Sequence, residues 1–413
     1  MRMNDWKRSL IEYFEQGIKQ KGDTKLGLEA EHFIVHKEDS RAVSYYGEGG
    51  VKQILEELMA EIPDAAALPG RELLGFQTPE YSITLEPAAQ MEISIIKLDR
   101  IAEIESIYEK FMEQLRRVLE KYDYTAATVG CQPVSPVRTL RLIPKKRYDL
   151  MDRHFEKTGT GGIQMMRGTA SLQVSVDYSS EEDFRKKVQA AYYYGPYLKL
   201  LCDNAAVFQG EQTGNRLMRT DIWRRVDPSR CGILPNVFSE SYGFGDYADF
   251  IGNVAPIFLP KGDEVEPTGS RTVAQIYEDH SPDHEEIVHL LSMAFPDIRL
   301  KQYLEIRLAD MVPQPYVGAY AALIKGLLYS EEAIEYAQSQ IRAGSLQEKD
   351  IFEAENAIMK DGWDGIVYGK PVRDGAEEML RMAERSLPEN EKSYLGAFDL
   401  VIKRGGIART PQD

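Results

Sequence analysis

Over residues 25–35 apolar and polar positions alternate with period two, which predicts a strand carrying Glu29 and Glu31 side by side on one face. Two adjacent anions repel. On a face turned toward a core they need positive charge between them, and a hard divalent cation with oxygen ligands supplies it. A lone pair of this kind belongs more often to a solvated strand face. Here the theme recurs. Residues 83–94 place Gln90, Glu92 and Ser94 on one face and Met91 and Ile93 on the other, with Pro87 splitting the run into two short strands and bringing Glu86 to the same end as Glu92. Residues 303–310 put Glu305 and Arg307 on one face, and residues 171–177 do the same for Ser171, Gln173, Ser175 and Asp177. Four strands with one polar and one apolar face predict a single sheet whose polar face lines a cleft.

The remaining pattern is mostly helical. An amphipathic helix is expected over 5–20 (Trp6, Leu10, Ile11, Phe14, Ile18), packed on the back of the sheet. Helices over 51–61, 98–122 and 180–204 follow, the last opened by Ser180 as N-cap and by acidic residues in its first turn. A strand is expected over 124–130, a basic helix start over 143–151, a flexible glycine-rich segment over 158–162, and an ordered insertion or lid over 261–273. Beyond Arg307 the chain reads as helices over 317–329, 331–342, 346–359 and 375–386, with a loose tail over 403–413. No internal repeat or interdomain linker stands out, so we expect one catalytic domain over 1–413 with a mostly helical part from about 315 to 402.

Composition narrows the function. With 413 residues, 43% of them hydrophobic, the chain can bury a large core, and no apolar run is long enough to span a membrane. The first residues lack a signal-peptide core, which predicts a cytoplasmic protein. A net charge of −16 disfavours nucleic acid as a partner, because phosphate backbones need a basic surface. It is compatible with a nucleotide substrate, since an acidic pocket loaded with magnesium turns locally positive. Cys131, Cys202 and Cys231 have neither disulfide nor zinc spacing and read as buried thiols, and the six histidines show no metal motif. Residues 215–225 are the most basic stretch, and arginine's two-pronged grip on carboxylates places recognition of an acidic small molecule there.

The order of motifs resembles the glutamate-cysteine ligase family, in particular its plant and proteobacterial branch, within the carboxylate-amine ligases related to glutamine synthetase. The resemblance rests on Gly27-Leu28-Glu29-Ala30-Glu31, Leu85-Glu86-Pro87-Ala88-Ala89-Gln90-Met91-Glu92, Arg147-Tyr148-Asp149-Leu150-Met151, Gly162-Ile163-Gln164-Met165-Met166, Leu172-Gln173-Val174-Ser175, Arg219-Thr220-Asp221-Ile222-Trp223 and Tyr303-Leu304-Glu305-Ile306-Arg307.

The resemblance implies an α+β fold, with a curved, mainly antiparallel sheet forming a funnel and helices packed outside. It implies an ATP-dependent ligase that makes a γ-glutamyl amide through a γ-glutamyl phosphate, with cysteine as the expected amine and two or three Mg2+ ions bridging ATP to glutamate. Glu29, Glu31, Glu86, Glu92, Gln173 and Glu305 are the implied metal ligands, and Arg307, with Glu305 and Gln173, serves ATP and the transferred phosphoryl group. Arg219 and Trp223 are the implied glutamate pocket. The chain departs from the family pattern where Gly168 replaces an arginine and Ser175 an asparagine; Arg167, one residue earlier, is the candidate to reach the same substrate. Ligation to another amine, a guanidino-kinase-like phosphotransfer and a non-catalytic ATP-binding role are the competing functions, and a homodimer is compatible with all of them.

Overall fold

The computed structural model describes residues 4–261 and 264–407. Its centre is a sheet of β1 (Leu26–His36), β2 (Ala66–Ala67), β3 (Gly75–Gln77), β4 (Tyr81–Leu85), β5 (Met91–Leu98), β6 (Tyr124–Ala127), β7 (Ser171–Val176), β8 (Ile298–Leu300) and β9 (Leu304–Asp310). The order is β8-β9-β7-β1-β5-β4-β3-β2, with β6 on the far half of β1, and every pairing in it is antiparallel. The four strands expected from alternation are all members, and β1 lies between two of them.

Register decides what the sheet presents on each side. Ala30 faces Ile93 on β5 and Leu172 on β7, Leu28 faces Ile95 and Val174, and Val174 in turn faces Ile306 on β9. These side chains are fully buried. They stack against helices Ile101–Glu120, Glu181–Leu201 and Tyr316–Leu328, whose apolar stripes close this face of the sheet. Each such side chain removed from water contributes roughly 1.5–3 kcal/mol, which holds the register against slippage by one residue. Buried His32 belongs to this layer too: its Nε2 lies 2.8 Å from the Tyr108 hydroxyl and its Nδ1 3.2 Å from the Met91 carbonyl, so its role is structural.

Helix boundaries follow the expected patterns closely. Asp183 N–H donates to the Ser180 Oγ at 3.0 Å, the N-cap anticipated for Glu181–Leu201. Beyond residue 315 come Tyr316–Leu328, Glu331–Gly344, Glu348–Asp361, Val372–Ser386 and Gly396–Arg404. The last takes up the start of the expected loose tail, of which residues 408–413 lie outside the described residues.

Two local expectations need correction. The first helix, Asp5–Glu15, packs on helices Phe244–Asn253 and His284–Leu291 rather than on the sheet, because Trp6, Tyr13 and Phe14 find their aromatic and glycine partners there. The 158–162 segment is not a flexible cover. A Cβ on Gly159 would meet the Arg225 carbonyl oxygen at 2.1 Å and one on Gly161 the Ile222 oxygen at 2.3 Å, so these glycines let two backbones touch. The expected insertion over 261–273 begins with a two-stranded hairpin, Phe258–Lys261 with Glu264–Pro267, whose connecting residues 262–263 lie outside the described residues.

Gly252 marks where the first helix docks: a Cβ there would come within 2.2 Å of the Trp6 ring. Gly252→Ala is expected to cost about 2 kcal/mol through overpacking and to redshift the Trp6 fluorescence, measurable by denaturant titration.

Candidate active site

The opposite face of the sheet carries the polar side chains. Glu31 is directly across from Glu92, Glu29 from Ser94 and Gln173, and Thr84 from Glu92. Glu305 is opposite both Ser175 and Arg299. Because residues directly opposite in antiparallel strands project to the same side, Glu29, Glu31, Glu92, Gln173 and Glu305 share one surface, and Glu86 joins them from the turn after β4. Tyr148 O–H approaches the Glu86 carboxylate at 3.5 Å.

Charge is divided along this surface. At one end Glu29, Glu31, Glu86 and Glu92 are half-buried. Desolvation raises the carboxyl pKa of each, and their neighbours add to it: Glu305 beside Glu29, Glu31 beside Glu86, and Glu29, Glu86 and Glu31 together beside Glu92, which is pushed well above the usual range. Glu31 is raised by desolvation even though Ser171 donates to it from N at 2.8 Å and from Oγ at 2.8 Å. Among the described residues no three acidic, histidine or cysteine side chains are already drawn around one point. The donor chemistry nonetheless fits a hard divalent cation: four carboxylates on one surface whose mutual repulsion Arg219, Lys145 and Arg307 offset only in part.

At the other end the balance is reversed. Glu305 is fully buried and held by three cations: Arg299 at 2.5 Å, Lys301 at 2.8 Å and Arg307 at 2.9 Å. Burial pushes its carboxyl upward, but Arg299, Lys301 and Arg307 outweigh that and hold it well below the usual range. The Gln173 oxygen likewise accepts from Arg307 at 2.6 Å, while its amide N–H donates to Glu31 at 3.2 Å. Glu305 and Gln173, implied above as metal ligands, thus have their oxygens committed to cations, and both act on Arg307.

Arg307 sits in a β-bulge between Ile306 and Ala309, and its N–H continues the β8-β9 ladder by donating at 3.0 Å to the Asp297 carbonyl. Its guanidinium lies 5.9 Å from the Trp223 ring and that of Arg219 5.8 Å from the same ring. Arg219 and Trp223 sit on the short helix Met218–Arg224, and Arg219 also donates to the Arg307 carbonyl at 3.3 Å. These three side chains line a cavity of about 330 Å³. The Arg219 Nε and Trp223 Nε1 protons are buried there with no protein acceptor, which suits a site for an acidic ligand.

Arg167 is elsewhere. It lies on helix Gly162–Gly168, with its guanidinium bound to Asp152 at 2.5 and 3.1 Å and to the Leu140 carbonyl at 2.9 Å. It is a structural cation, not part of the cavity. Gly168 packs so closely that a Cβ would meet Val137 at 2.6 Å and Phe208 at 3.0 Å, so the arginine of the family pattern has no room here.

Sequence reasoning missed several participants. Arg299 and Lys301 belong to the edge strand β8 and the turn after it, too short for alternation to register. Lys199 and Glu355 were hidden in helices, though each is a charge inside an apolar stripe, between Leu198 and Leu200 and between Ile351 and Ile358. They meet at 2.6 Å on the cavity wall.

Known proteins set the class: the chain is an ATP-dependent carboxylate-amine ligase built on a glutamine synthetase-like sheet. It belongs to glutamate-cysteine ligase family 2, whose model matches residues 25–412. Among curated relatives, the chloroplastic glutamate-cysteine ligase of Arabidopsis thaliana is 28% identical over 97% of this chain and 77% of its own length, and that of Brassica juncea 29% identical over 97% and 79%. The crystal structure of a glutamate-cysteine ligase from Francisella tularensis, in complex with AMP, superposes with a TM-score of 0.57 at 10% identity, covering 93% of this chain and 82% of that one; it supports the fold. Among the described residues no helix is long and apolar enough to cross a membrane.

Replacing Glu305 by glutamine leaves one buried and two half-buried cations without their shared counter-ion. Glu305→Gln is expected to lose about 3 kcal/mol of folding free energy, read by urea denaturation.

Proposed function

We propose that the chain joins the γ-carboxylate of glutamate to the amine of cysteine at the expense of ATP. What supports this is the adjacency of a four-carboxylate floor and the cavity of Arg219, Trp223 and Arg307 in a chain matched nearly end to end by the glutamate-cysteine ligase family. A carboxylate is a poor electrophile, so ATP first converts it to an acyl phosphate; the amine then displaces phosphate and the amide forms. No enzyme nucleophile is needed, in keeping with three cysteines whose thiol pKa values burial raises.

The roles divide along the surface. Glu29, Glu31, Glu86 and Glu92 would hold Mg2+, which neutralises charge on the triphosphate and leaves its terminal phosphorus open to attack. Arg307, oriented by Glu305 and Gln173, meets the transferred phosphoryl group; Arg219 and Trp223 receive the glutamate. Glu305 acts as the counter-ion that keeps Arg307 and its neighbours in place, and Gln173 as the spacer between Arg307 and Glu31. The helices from about 315 to 402 work with the sheet as one catalytic unit, since Glu348–Asp361 contributes a wall of the cavity.

The direct test incubates the purified protein with ATP, Mg2+, glutamate and single amines, and identifies the product by mass. γ-Glutamylcysteine with ADP and phosphate is expected. ATP left intact by every amine, or a stable phosphorylated product without an amide, would overturn the reading. The metal role has its own readout. Glu92→Gln relieves repulsion in the metal-free protein, so it should melt higher than wild type in EDTA, lose the rise in melting temperature that Mg2+ gives the wild type, and drop at least about 100-fold in kcat.

A further inference from the structure

Of the acidic side chains on the cavity wall, two are accounted for. Glu355 is buried with both oxygens filled, by Lys199 at 2.6 Å and Arg224 at 2.5 Å. Glu348 is in the first turn of its helix and half-exposed. Asp297 is different: Lys199 holds its Oδ2 at 2.7 Å, and its Oδ1 has no hydrogen-bond partner among the described residues. Its backbone is pinned on both sides, donating from N to the Gly232 carbonyl at 2.8 Å and accepting from Arg307 N at 3.0 Å. The carboxylate therefore keeps a fixed relation to Arg307.

We propose that Asp297 is the carboxylate that receives the ammonium group of the acceptor and takes its proton. This rests on the ligase reading above. Lys199 and Arg224 already take up both oxygens of Glu355, and Arg219 and Arg307 are suited to the acyl phosphate, so an incoming ammonium needs a carboxylate with an open oxygen. An ammonium nitrogen has no lone pair and cannot attack. One proton passes to Asp297 Oδ1; the freed lone pair forms the C–N bond at the acyl carbon; the C–O bond to the phosphoryl group breaks; and the second nitrogen proton leaves with phosphate. The groups packed around Asp297 leave this role to it. Lys199, from Glu181–Leu201, is already shared with Glu355, and Arg219, Arg224 and Arg307 are cations. Desolvation raises the Tyr192 hydroxyl and pushes the Cys231 thiol up to about 12, so neither is a competing base.

Hydroxylamine separates this step from the rest, because it is neutral near pH 7.5 and traps the acyl phosphate as a hydroxamate without needing a base. Asp297→Asn is expected to lose about 100-fold or more with cysteine at that pH, to recover roughly tenfold per pH unit as the free amine grows, and to keep hydroxamate formation within about 3-fold of wild type. If Asp297→Asn melts early, Asp297→Glu carries the test, and must lose more with cysteine than with hydroxylamine. Equal loss with both acceptors, or an undiminished rate with cysteine, overturns the proposal. A wild type that makes neither product overturns instead the ligase reading on which it rests.

Discussion

The site depends on an unequal distribution of charge along one sheet face. At one end four carboxylates crowd together with too little positive charge among them; at the other, three cations converge on the single buried carboxylate of Glu305. Either half alone would be costly to bury. The antiparallel register of β1 between β5 and β7 holds the acidic half, and the β8-β9 hairpin holds the basic half, so the same backbone pairing that forms the core also sets the distance between the place for a cation and the place for a phosphoryl group. A ligand carrying both metal and phosphate then completes what the protein leaves unbalanced.

Much of this was legible in the sequence because strand alternation is a strict code: Glu29, Glu31, Glu92, Gln173 and Glu305 could be assigned to faces without knowing any partner strand. The alternation could not tell a ligand from a counter-ion. Glu305 and Glu92 look alike in the chain, and only the arrival of Arg299 and Lys301 from another strand makes Glu305 a partner of cations. Arg167 failed for a related reason. The chain is helical at Arg167, and Asp152, on the preceding helix, captures its guanidinium. Asp297 was invisible because nothing local marks a residue whose partners, Lys199, Gly232 and Arg307, come from distant segments.

The departure at Gly168 illustrates how packing constrains chemistry. A family arginine could not be restored there without moving Val137 and Phe208. Around Trp223 the cations are Arg219 and Arg307, presented by the short helix Met218–Arg224 and the bulged strand β9.

The cavity wall supplied by Glu348–Asp361 has a temporal meaning as well. During synthesis every strand of the sheet has emerged once residue 310 is out, yet Arg224 must wait for Glu355, made some 45 residues later, before its charge is matched. A nascent chain therefore holds the acidic floor before it has a closed pocket, and the segment around Glu355 must leave the ribosome before the newborn enzyme can grip a substrate.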